Sequence, residues 1–175
     1  PERVRNIRVL LAELQRINSH LVWLGTHGME LGAVSIMLYC FRERELLLNI
    51  NEMLAGFRLF PTYIRVGGLR EDLPRGFHDA VRSVLDRLPV KLDEYEDLLT
   101  RNAIYLKRTQ GVGRISGDDA IAYGLVGPIA RASGVAYDVR KAFPYLGYET
   151  YDFAVPTRTE GDVYARYLVR VAEMR

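Results

Sequence analysis

Three histidines (His20, His27 and His78) and a single cysteine, Cys40, are the groups best suited to ligate a metal or attack a substrate, and their spacing limits what they can do. None of them completes an HExxH or CxxC pattern, so no metal site is expected from this chain alone. Each histidine reads first as a hydrogen-bonded residue on a helix face. His20 and His27 hold more interest, because Glu13 and Arg16 lie one or two turns away. Arg65-Val66-Gly67-Gly68 and Gly111-Val112-Gly113 look superficially like phosphate loops, but neither completes a P-loop or a GxGxxG between a strand and a helix. They read as tight turns that need small residues. Tyr137, Tyr145, Tyr148 and Tyr151 cluster near Arg140 and Lys141, a pattern shared by cores and interfaces. Arg42-Glu43-Arg44-Glu45 follows an apolar helical stretch. Its charges spread round the helix, so some must point inward and find partners.

Composition narrows the classes. Lys plus Arg number 24 against 22 Asp plus Glu, a net charge of +2, which gives no electrostatic footprint for nucleic acid. One cysteine excludes an intrachain disulfide framework and fits a reducing compartment. The longest apolar run, Leu31 to Phe41, has eleven residues, where a membrane-spanning helix needs about 20. With 175 residues, 49% of them hydrophobic, the chain has the material for one sizeable core, and a single domain over 1–175 is expected. The chain starts at Pro1, and its last apolar stripe (Val163, Tyr164, Tyr167, Leu168, Val171, Met174) reaches Arg175 without a stop signal. An internal fragment of a longer subunit is therefore expected.

The elements that must position these groups are mostly helices. Ile7, Leu10, Leu11, Leu14, Ile17, Leu21 and Leu24 predict an amphipathic helix from about Arg3 to Leu24, with Gly25 and Gly28 against its continuation. A second helix is expected over about Ala33 to Leu54, ended by Gly56, and then an irregular stretch from Phe57 to Leu73. Asp72-Leu73-Pro74 should start a third helix with the stripe Phe77, Val81, Val84, Leu88, Leu92, Tyr95 and Leu99, kinked or split at Pro89. Beyond Asn102, glycines and prolines punctuate short segments. Among these are a helix led by Ser116 and ended near Gly124, a short strand from Tyr148 to Val155, and a final helix opened by Gly161-Asp162. The expected class is mainly α: a helical bundle over about 3–100, a loop-rich segment over about 101–160 with minor β elements, and a last helix over about 161–175.

Several ordered strings resemble one family. They are Ile7-Arg8-Val9-Leu10, Glu13-Leu14-Gln15-Arg16, Ser19-His20-Leu21, Gly25-Thr26-His27, Phe41 to Glu45, Tyr63 to Gly68 followed by Asp72-Leu73-Pro74, and Leu92 to Glu96. The match continues in Arg131 to Gly134, Tyr137 to Lys141, Pro144-Tyr145, and Gly161 to Tyr167 ending in Glu173-Met174-Arg175. This looks like the D-type (49 kDa-type) subunit of bacterial respiratory complex I, the quinone-site subunit related to the large subunit of nickel-iron hydrogenases, and the resemblance covers essentially the whole chain. It implies a hydrogenase-large-subunit-like bundle in a peripheral subunit, on the cytoplasmic side of the inner membrane. It further implies a role in NADH:quinone oxidoreduction, and contacts with the small subunit that carries the terminal 4Fe-4S cluster, with the C-type subunit of the complex and with its H-type membrane subunit. Quinone would be substrate in a shared chamber, and no cofactor would be bound by this chain alone. A large subunit of a membrane-bound nickel-iron hydrogenase-like complex, or a noncatalytic scaffold of the same fold, are the alternatives.

Carried over position by position, Glu30 stands where the family commonly has an aspartate paired with a histidine outside these residues, which makes it a proton-relay candidate. Thr26 and Leu38 match positions lining the quinone chamber. Phe60 falls where many relatives have a histidine close to the terminal cluster, and phenylalanine cannot titrate. Arg42, Arg44, Arg65 and Arg131 are expected in structural ion pairs and in contacts between subunits.

Overall fold

The computed structural model describes residues 2–175 and is mainly helical, with one small antiparallel sheet. The chain forms two compact units, Pro1–Tyr95 and Glu96–Arg175.

The first unit is built on a helical hairpin. Helix α1 (Glu2–Glu30) and helix α2 (Val34–Ala55) are joined by three residues, and so short a link makes the two helices antiparallel neighbours. Backbone bonds from Ala33 N–H to Gly28 O and from Gly32 N–H to Met29 O, with Gly32 at φ 90°, close the end of α1. Gly25 and Gly28 do not end the helix near Leu24. A Cβ at Gly28 would sit 3.0 Å from the Ile36 side chain, and one at Gly25 would sit 3.3 Å from Met37 Cα. The glycines let α2 approach, and packing outweighs their intrinsic helix penalty of about 1 kcal/mol each.

Helix α2 stops as its sequence says, at Gly56 in the left-handed conformation (φ 73°). The stretch after it holds a minimal antiparallel pair, β1 (Ile64–Arg65) and β2 (Gly68–Leu69), with Ile64 opposite Leu69 and Arg65 opposite Gly68. Helix α3 (Phe77–Leu99) begins later than the Asp72-Leu73-Pro74 signal. Asp72 instead accepts the Leu73 N–H at 2.8 Å and pairs with Arg3 at 2.8 Å, and a turn through Pro74–Phe77 delivers the helix. The expected stripe from Phe77 to Leu99 is buried throughout. Pro89 does not split α3, which runs through it as one helix. Pro89 and Leu85, whose carbonyl loses its intrahelical donor, are both exposed, so water can satisfy that carbonyl.

In the second unit, short helices α4 (Ala103–Thr109), α5 (Gly117–Ala122), α6 (Gly127–Ala132) and α7 (Val139–Ala142) accompany α8 (Val163–Met174). Each of α4, α5, α7 and α8 is capped by a side chain, from Asn102, Ser116, Asp138 and Asp162 respectively. Helix α8 buries Ala165, Tyr167, Val169, Val171 and Met174, with Tyr105 edge-on to Tyr167 at 5.2 Å. Tyr148 to Val155 forms no strand. Tyr148–Thr150 is a single 3-10 turn, and residues 151–155 carry no strand. The aromatic residues here pack with one another instead, the Tyr148 ring meeting Tyr145, Tyr151 and Phe153 edge-on.

Candidate functional site

The hairpin places the candidate residues of the first unit at two separate ends. At its turn, Thr26 and Glu30 are one helical turn apart on α1 and so share a face. The Thr26 hydroxyl is turned back onto its own helix, donating to Val22 O (2.9 Å) and lying 3.1 Å from Trp23 O. Glu30 is the last residue of α1 and is exposed. At the start of α2, Val34 and Leu38 present an apolar strip, 58% and 68% exposed. Trp23 stacks on His27 at 4.8 Å, 16° from parallel. The two helix ends at the turn thus carry a carboxylate, an imidazole and exposed apolar side chains, with the Thr26 hydroxyl engaged by its own helix. That mixture suits a polar reaction at the edge of an apolar ligand.

Phe60 lies elsewhere. It is 84% exposed and lines a cavity of about 460 Å³ walled by Leu11, Leu14, Gln15, Asn51, Leu54 and residues 59–64. Gln15 and Glu30 are fifteen residues apart on α1, about 22 Å of helix. The segment that carries Phe60 is pinned to α2: Asn51 Nδ2 donates to Arg58 O at 3.1 Å, and the Arg58 guanidinium reaches Asn49 (2.7 Å), Glu52 (3.1 Å) and Glu45. Those contacts hold the Arg58 guanidinium pKa above its usual value, through the hydrogen bonds to Glu52 and then Glu45.

Of the charge string after the apolar stretch, the inward-pointing member is Glu43, 3% exposed. It is gripped by Arg42 at 2.5 Å and by Arg87 of α3 at 2.5 and 3.2 Å. Arg42 also reaches Glu94 at 3.3 Å. Arg44 lies over the Phe41 ring at 5.4 Å, and its buried Nε has no hydrogen-bond partner among the described residues. Arg65 is exposed and donates to Thr62 O at 3.4 Å. In the second unit Arg131 is buried. It donates to Glu173 from Nε (2.9 Å) and to Tyr137 O (3.0 Å), with Asp138 3.8 Å away.

Asn18 is a residue that the sequence reading passes over. It is 5% exposed in α1, and its Oδ1 has no hydrogen-bond partner among the described residues. Its position, four residues after Leu14 and three before Leu21, makes it a polar residue inside an apolar stripe, and that break in the pattern is the signal that finds it.

Among the described residues, no group of three or more His, Cys, Asp or Glu side chains could hold a metal ion, and no helix is long and apolar enough to cross a membrane. A family sequence model described as the respiratory-chain NADH dehydrogenase 49 Kd subunit matches residues 30–175. The chain is 59% identical, over its whole length, to the NADH-quinone oxidoreductase D-type subunit 2 of Roseiflexus sp. (strain RS-1), covering 42% of that protein. It is 58% identical to the D-type subunit 2 of Chloroflexus aurantiacus and 56% identical to the D-type subunit of Acidothermus cellulolyticus, again over all of this chain, covering 43% and 40% of those proteins. The chain thus spans less than half the length of these relatives.

Proposed function

Since the chain belongs to the family of the 49 kDa subunit of respiratory-chain NADH dehydrogenase, we propose that it forms part of the quinone-reducing module of an NADH:quinone oxidoreductase. The observation that carries this reading is the 59% identity to an NADH-quinone oxidoreductase subunit across the whole chain. The chain would supply one wall of a quinone chamber, with Thr26 and Leu38 against the quinone and Glu30 in the proton path. Reduction of a quinone to quinol takes up two protons with two electrons, so a carboxylate at the chamber edge has a defined role. It hands a proton to a quinone oxygen and is reprotonated from solvent or a neighbouring histidine. Exposure of Glu30 at a helix end leaves it accessible for both.

Electrons would arrive from a 4Fe-4S cluster held by the small subunit. This chain has one cysteine, Cys40, where such a cluster takes four thiolates. Phe60 would lie toward that cluster. Peripheral docking against the small subunit, the C-type subunit and the H-type membrane subunit, on the cytoplasmic face of the inner membrane, completes the proposal, with Arg42, Arg44, Arg65 and Arg131 holding the shape of the subunit and its contacts.

The test is Glu30→Ala in the assembled complex. Quinone reductase activity should fall by at least tenfold with assembly intact, and Glu30→Asp should restore most of it. An unchanged rate in an assembled Glu30→Ala complex would point to a scaffold role for this wall.

A further inference from the structure

Next to the cavity that Phe60 lines is a second, much smaller void of about 10 Å³, bounded by Leu14, Gln15, Asn18, Leu47, Ile50 and Asn51. Leu14, Gln15 and Asn51 belong to both cavities. Three of the six side chains round the void are carboxamides, an unusual lining for the space between two packed helices, where shape-matched apolar groups are the rule.

Their hydrogen bonds do not close among themselves. Asn18 Nδ2 donates to Gln15 Oε1 over a long 3.4 Å, and Asn51 spends its Nδ2 on Arg58 O at 3.1 Å. Asn18 Oδ1 is left buried without a partner among the described residues. An acceptor so placed is costly unless something donates to it. Gln15 and Asn51 also line the void, Gln15 exposed and Asn51 half-buried. The chemistry that satisfies one buried acceptor in a space of one probe sphere, beside two further carboxamides, is a single water, which donates to Asn18 Oδ1 and has a second hydrogen and lone pairs for the neighbouring amides.

We infer that this void is a hydration site, where one ordered water held by Asn18, Gln15 and Asn51 couples α1 to the segment carrying Phe60. The coupling runs through Asn51, whose amide also holds the Arg58 carbonyl. An apolar molecule is excluded by the size and polarity of the void, and a cation by the absence of any carboxylate among its lining residues.

The experiment is a high-resolution structure of the complete complex, together with hydrogen exchange of the segment 57–63 in wild type and in Asn18→Leu. One water peak about 3 Å from Asn18 Oδ1 is expected, and Asn18→Leu should remove it and speed exchange in 57–63 by several-fold. A void without density, or one filled by a protein side chain, would overturn the inference. So would Asn18→Leu with unchanged exchange. Where Asn18→Leu fails to assemble, the density in the wild-type complex decides alone.

Discussion

Arg131 and Glu173 meet in the interior of the second unit: the guanidinium Nε donates to Glu173 Oε1 at 2.9 Å, with side chains only 4% and 2% exposed. A second bond from the same guanidinium reaches the same oxygen, and its third nitrogen donates to Tyr137 O. The pair joins α6 to the last turn of α8. Removing Glu173 leaves the buried Arg131 with Asp138 at 3.8 Å and the Tyr137 carbonyl, a partial compensation, so Glu173→Ala should cost about 3 kcal/mol. Replacing both partners by leucine should cost much less than the sum of the single changes. Denaturant unfolding of the two single variants and the double variant measures both quantities. An additive double variant would mean that the two charges are independently satisfied.

Asp138, beside this pair, predicts an acid limit. Burial pushes its carboxyl up, but Arg140, bonded at 3.0 and 2.6 Å, and then Arg131 hold it, on balance, below the usual carboxylate value. A carboxyl whose folded value lies below its unfolded value, near 3.9, stabilises fully above that pH and loses its contribution as pH falls through the folded value. Arg140→Leu leaves the burial and removes the main compensation, so the acid-unfolding midpoint should move to higher pH. Thermal unfolding recorded from about pH 3 to 6 reads this; identical profiles for the two proteins would refute it.

Three glycines should rank differently on substitution by alanine. At Gly161 a Cβ would sit 2.1 Å from Ile115 O, with φ at 69°. Overpacking of about 1–3 kcal/mol and a left-handed strain of about 1–2 kcal/mol then add. At Gly28 the backbone is helical and only the 3.0 Å approach to Ile36 opposes alanine, while the helix gains about 1 kcal/mol from losing a glycine. At Gly56 nothing lies within 4 Å and only φ 73° opposes it. Gly161→Ala should therefore be the most destabilising by a clear margin, with Gly28→Ala and Gly56→Ala each within about 2 kcal/mol of wild type. Melting temperatures of the three variants test the order.

The long helices are legible in the sequence because burial follows their apolar periods: every stripe residue from Phe77 to Leu99 is inside. Gly25 and Gly28 mislead, and so does Pro89 as a point where α3 would split, because a local penalty says nothing of the neighbour that offsets it: close approach of α2 in the first two cases, solvent beside Leu85 in the third. Tyr148 to Val155 misleads in the opposite way, since alternation is only half of a strand and no second segment pairs with it. The candidate site is barely legible from chemistry. Glu30, Thr26, Leu38 and Phe60 have no motif spacing among themselves and come from resemblance, while Asn18, readable as a polar break in an apolar stripe, carries its significance in a void that no sequence displays.

Phe60 gives the sharpest test of the placement proposed for it. A histidine beside a redox centre takes up a proton as the centre is reduced, which makes the potential fall as pH rises, by at most about 60 mV per unit for one electron. Phenylalanine offers no such proton site, so the terminal cluster of this protein should show a shallower slope between about pH 6 and 8 than a cluster facing histidine. Phe60→His should install the steeper slope. The substitution is structurally mild, because the side chain is 84% exposed in this chain and serves only as one wall of the outer cavity. Potentiometric titration of the cluster signal at several pH values, in wild type and Phe60→His complexes, separates the outcomes. A steep slope already present in wild type, or no change on introducing histidine, would place Phe60 away from the cluster.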